Sequence, residues 1–175
     1  ERTWKNGDRV ELVLPMHLTM RTWQVNKNSV SVNYGPLTLS LKIGEEFIRR
    51  DSRETAIGDS KWQKGADAEN WPSYEIHPTT AWNYALVLVE KDPLEGFIVV
   101  TKSWPSDNFP FSTGHVPLEV KAQGRRIPSW KIDKYGLCAV LPETDAPKSP
   151  QIENITLIPM GAARLRISAF PAVSE

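Results

Sequence analysis

Side chains in this chain alternate between apolar and polar with a period of two, and that pattern leaves little room for helices. In Arg9-Val10-Glu11-Leu12-Val13-Leu14, the residues Val10, Leu12 and Leu14 share one face and Arg9 and Glu11 the other. Leu37, Leu39, Leu41 and Ile43 line a face opposite Thr38, Ser40 and Lys42, the signature of a half-buried antiparallel strand. Ala163, Leu165 and Ile167 alternate with Arg164, Arg166 and Ser168. The runs Tyr84 to Val89 and Gly96 to Thr101 are apolar and rich in β-branched residues, as interior strands are. Fourteen prolines and ten glycines interrupt the chain, so no segment keeps helix caps together with a helical apolar stripe. Asn6-Gly7-Asp8 and Tyr34-Gly35-Pro36 read as turns. The pattern predicts an all-β protein, an antiparallel β-sandwich or jelly roll carrying one long polar loop.

That loop is the stretch 45–70, which is charged, dotted with glycine and poor in apolar residues. It divides the chain into residues 1–44, a linker or long loop over 45–70, and a larger β-rich domain over 71–175. The chain opens on Glu1 without a charged and apolar leader, so it reads as an excerpt of a longer protein whose compartment stays open.

Charge narrows the partners. Twenty-one basic residues balance twenty-one acidic ones, and the only adjacent arginines are Arg49-Arg50 and Arg125-Arg126. Neither nucleic acid nor an anionic membrane surface is expected as a partner. No apolar run approaches the roughly 20 residues that a membrane helix requires. Cys138 is the single cysteine, so no internal disulfide or multi-cysteine metal site can form. Within the apolar run Gly136 to Leu141 it reads as a buried, inert thiol.

Little catalytic chemistry is legible. His17, His77 and His115 are far apart and without ligand spacing, and they read as solvated. Asp67, Glu69 and Glu75 lie near aromatic residues, as a glycosidase carboxylate pair would. With so many acidic residues, however, no catalytic pair can be selected. No metal ligand is assigned and no cofactor is expected in this chain. Tryptophan is the outlier, with seven against four tyrosines. An indole face stacks on the C–H face of a sugar, but large rings also fill cores. Most of the seven read as packing. Trp62, Trp71 and Trp104 lie in loops and are the candidate carbohydrate platforms.

Three stretches in order resemble a known family: Arg2 through Met16, Tyr34-Gly35-Pro36-Leu37, and Leu157 through Ser168 followed by Phe170-Pro171. Trp82-Asn83-Tyr84-Ala85-Leu86 and Arg126-Ile127-Pro128-Ser129-Trp130 fit the same pattern. Together they resemble the region after the catalytic domain in glycoside hydrolase family 127, the β-L-arabinofuranosidase-like proteins. The resemblance implies that residues 1–44 close a middle β-sandwich and that residues 71–175 form a C-terminal sandwich. It also implies a bacterial parent whose helical barrel holds a zinc-bound cysteine nucleophile and a glutamate acid/base. None of those residues maps here, and Cys138 lies in the wrong region. The implied role is a non-catalytic accessory segment, partnered by the catalytic domain of its own parent chain. The alternative is a carbohydrate-binding module for plant-type saccharides. A parent that degrades polysaccharide would work in the periplasm or outside the cell.

Overall fold

The computed structural model describes residues 2–50 and 72–175. They form an all-β fold in which ten strands follow one another: β1 (Leu18–Trp23), β2 (Ser29–Tyr34), β3 (Leu37–Leu41), β4 (Glu45–Arg50), β5 (Ser73–Pro78), β6 (Tyr84–Leu88), β7 (Ile98–Thr101), β8 (Leu118–Arg126), β9 (Ile152–Pro159) and β10 (Ala172–Ser174). Among the described residues the only helical turns are short 3-10 pieces at Gln24–Asn26 and Met160–Ala162. Eight strands make one curled sheet, ordered β1-β2-β3-β9-β8-β6-β10, with β7 also paired to β8. Every pairing is antiparallel except that of β10 with β6. β4 and β5 form a separate two-stranded ribbon, in register from Glu45↔Pro78 to Arg50↔Ser73.

Local chemistry explains the first hairpins. β1 and β2 are joined through Lys27 and Asn28, both left-handed at φ 56° and 53°. β2 turns into β3 at Gly35-Pro36, with Tyr34 opposite Leu37. Gly35 has φ +54°, which suits the first position of a tight hairpin turn. A Cβ there would also lie 2.3 Å from Met16 Sδ.

β2 and β3 then splay apart, and the C-terminal segment enters the fork. Leu41 donates its backbone N–H to Ile167 O at 2.8 Å, while Val30 and Phe170 exchange two backbone bonds at 2.8 and 2.9 Å. Ser40 Oγ both donates to Ile167 O and accepts from Ile167 N–H, each at 3.1 Å. From there the chain crosses to the far side, where Leu86 donates to Pro171 O and β10 lies along β6. The last nine residues thus tie the two ends of the curl together.

The core fills the inside of this curl. Val32, Leu39, Leu86, Val120, Leu157 and Phe170 have no exposed surface. The β-rich pieces on either side of 45–70 therefore share one core: β3 pairs with β9, and Val30, Val32, Leu39 and Leu41 pack with Leu86 and Val120. The opposite face of the sheet carries a smaller cluster of Val116, Ile158, Ala162 and Ala163.

Several expectations need correction. The stretch Arg9 to Leu14 is not a strand, although its alternation reads as one. Its residues pair with nothing in the sheet, and Val10, Leu12, Val13 and Leu14 are 68–77 % exposed. Residues 45–50 are strand β4 and not loop, because their partner β5 lies beyond the segment 51–71. Ile98 to Thr101 is an edge strand that is only partly covered, bonded to β8 alone. Residues 163–168 keep the expected inward and outward alternation but run as irregular backbone along β3. Cys138 is exposed and not buried, since the apolar run around it lies on a surface loop that folds back on residues 131–133.

Candidate functional site

The loop from Lys102 to Pro117 leaves β7 and returns into β8, and it gathers the exposed aromatic residues of this face. Its base continues the ladder, with Lys102 donating its N–H to Pro117 O at 2.7 Å. Trp104 is 60 % exposed, and its indole N–H donates to Asn108 Oδ1 at 2.7 Å. That bond fixes the ring and leaves its face to solvent. Asn108 is left-handed at φ 56°, a conformation asparagine tolerates better than most residues. Asp107 Oδ1 accepts the Phe109 N–H at 3.0 Å, and its other oxygen lies 3.4 Å from His115 Nδ1. Phe109 and Phe111, both about half exposed, meet edge to face at 5.5 Å.

At the base of the loop sits an unusual charge cluster. Glu119 on β8 faces away from the main core yet is only 4 % exposed. Three ammonium groups surround its carboxylate: Lys42 at 2.8 Å, Lys102 at 2.6 Å and Lys121 at 2.9 Å. Lys121 also donates to Thr156 Oγ1 at 3.0 Å. Burial alone would raise the Glu119 pKa, but the ammonium groups of Lys102, Lys42 and Lys121 outweigh it and hold the carboxyl at about 2. Glu119 is therefore ionised at any physiological pH. The cluster carries three positive charges against one negative.

A second polar arrangement lies where β6, β8 and β9 meet. Tyr84 Oη donates to Glu153 Oε2 at 2.7 Å, and Arg126 pairs with Glu153 at 3.0 Å while lying over the Tyr84 ring. Burial raises the Tyr84 pKa, and the bond to Glu153 raises it further. Gly124 makes room for this ring, since a Cβ there would sit 3.1 Å from Tyr84 Cδ1. An open cleft of about 490 Å³ adjoins the group, with Lys42, Thr79, Thr80, Asn154 and Thr156 on its walls.

Of the three candidate platforms, Trp104 is exposed, and Trp62 and Trp71 lie outside the described residues. The remaining tryptophans divide. Trp130 is buried and donates to Ala139 O at 2.9 Å, and half-buried Trp82 meets it edge to face at 5.1 Å. Trp23 donates to Ser31 Oγ at 3.0 Å beneath the Arg21 guanidinium. Trp4 is exposed on the N-terminal segment. Asp67 and Glu69 fall outside the described residues. Glu75 is exposed on β5 with its pKa lowered by Arg50 and His77, an ordinary surface ion pair. Among the described residues no group of three or more His, Cys, Asp or Glu side chains could hold a metal ion, and no helix is long and apolar enough to cross a membrane.

The lysine cluster escapes a reading of the sequence because its members are 42, 102, 119 and 121. One signal was available: a glutamate between Leu118 and Val120 in an otherwise apolar strand start. Compared with known proteins, the chain matches no family model, no curated protein and no solved structure.

Proposed function

We propose that this chain is a non-catalytic accessory β-domain of a glycoside hydrolase and packs against a helical-barrel catalytic domain of the same polypeptide. The observation that carries the reading is the segment from Arg9 to Leu14. It belongs to the first stretch resembling the β-L-arabinofuranosidase-like proteins, and its apolar side chains lie open to solvent. Burying a valine or leucine is worth about 1.5–3 kcal/mol, so four such side chains within five residues favour a covering partner. Three of them, Val10, Leu12 and Leu14, alternate with Arg9, Glu11 and Val13, which suits an extended ribbon that docks one face.

Two measurements test this. Purified chain should leave aryl glycosides, including β-L-arabinofuranosides, unhydrolysed, and turnover dependent on this chain would refute the reading. The chain should also enhance the fluorescence of an apolar dye. The substitutions Val10→Asp, Leu12→Asp and Leu14→Asp should reduce that signal without changing the circular dichroism. An unchanged dye signal would count against a docking ribbon.

The second reading, a carbohydrate-binding module, is favoured by Trp104, whose exposed ring is held in place by Asn108. Saturable calorimetric binding of arabino-oligosaccharides, lost in Trp104→Ala, would move the assignment to it.

A further inference from the structure

We propose that the β7–β8 loop and the sheet face beside it form a site for an acidic saccharide, with Trp104 stacking on a uronate ring and the cluster of Lys42, Lys102 and Lys121 receiving its carboxylate. The proposal rests on the saccharide-binding reading of Trp104 and names the class of sugar.

Two independent features meet here. One is the charge imbalance at Glu119. A single carboxylate fixes three ammonium groups within hydrogen-bonding distance and neutralises only one of them. Lys121 gives one further bond to Thr156 Oγ1, and the lysine side chains remain 34–47 % exposed, which leaves the cluster open to an external acceptor. Glu119 therefore acts as a post holding like charges together, which they would not maintain unaided. Such a group attracts an external carboxylate and holds it by charge-assisted bonds.

The other feature is the ring. Lys102 and Trp104 are separated by one residue, so their Cα atoms lie within about 7 Å of each other. That distance lets one ligand ring lie on the indole while a substituent of the same or the next ring reaches the lysines. Asn108 orients the indole, and Phe109 and Phe111 extend the apolar surface along the loop. A ligand fitting both features offers an apolar C–H face and a carboxylate at sugar spacing. A long nucleic acid is a poorer match, because binding of that kind draws on many distributed basic residues and this chain is neutral overall.

Calorimetry at low ionic strength tests the proposal with tetragalacturonate, its methyl ester and arabinotetraose. The acid should bind saturably and the ester at least tenfold more weakly. Trp104→Ala should weaken binding of the acid at least tenfold. The double substitution Lys102→Gln with Lys121→Gln should erase the preference for acid over ester, with near-UV circular dichroism confirming the fold. If ester and arabinotetraose bind as well as the acid, the acidic preference is wrong while the saccharide reading stands. If no saccharide binds, both fall. Binding of the acid that Trp104→Ala leaves unchanged, or that dextran sulfate matches, would mean charge attraction alone and would also overturn the proposal.

Discussion

Replacing Glu119 by glutamine keeps the shape of the side chain and removes the charge that three lysines share. A carboxyl with a pKa of about 2 in the folded protein, against an ordinary value of 4.5, contributes about 3 kcal/mol to stability at neutral pH. The sign follows from the depressed value. This contribution is complete above the unfolded pKa and is lost as pH falls from about 5 towards 2. Glu119→Gln should therefore cost about 3 kcal/mol at pH 7, a figure that already contains the lost attraction to Lys42, Lys102 and Lys121. For a chain of this size, that corresponds to a melting temperature lower by roughly 6–12 °C. Urea titrations at a series of pH values read the effect as a fall in midpoint with an unchanged slope. The variant should converge on the wild type near pH 2, and salt should stabilise the variant more by screening the lysines. A variant within about 0.5 kcal/mol of wild type at pH 7, with a parallel pH profile, would refute the reasoning.

Other consequences are more local. Phe170→Ala should cost about 3–5 kcal/mol in urea titration, because it empties a fully buried position where the C-terminal segment crosses between β2 and β6. A loss under about 1 kcal/mol would mean that this segment does not close the curl. Gly124→Ala should destabilise by about 1–3 kcal/mol, since the added methyl meets Tyr84, Ala85 O and Ile155 within 3.2 Å. A thermal melt unchanged from wild type would show that the contact relaxes freely. Cys138 should react fully with an aromatic disulfide reagent in the native protein, with the kinetics of an exposed thiol. Reaction only after denaturation would place the 131–140 loop elsewhere.

Where the backbone pairs locally, the sequence was a good guide. Leu37, Leu39 and Leu41 alternate with Thr38 and Ser40 and form β3; Tyr84 to Leu88 forms β6; and Tyr34-Gly35-Pro36 turns between β2 and β3. Two-residue periodicity specifies which side chains share a face, and it is silent on whether anything covers that face. For that reason Val10, Leu12 and Leu14 read like Leu37, Leu39 and Leu41, although the first set is open to solvent and the second mostly buried. Gly136 to Leu141 fails in the same way, since an apolar composition holds no record of its surroundings. The exposure of Trp104 was legible from its neighbour Pro105 and its loop setting. The lysines around Glu119 were not, because loop closure across 77 residues brings Lys42 to its partner. Zero net charge concealed a local surplus of two.

Hydrogen exchange followed by mass spectrometry on a dilute monomer bears most directly on the account. It predicts that Leu39 to Leu41, Tyr84 to Leu88, Leu118 to Arg126 and Ile152 to Pro159 exchange slowly and together, as strands of one sheet. Arg9 to Leu14 should exchange at once, as exposed backbone outside the sheet. Slow exchange across Arg9 to Leu14 in the monomer, or separate rates for β3 and β9, would contradict it.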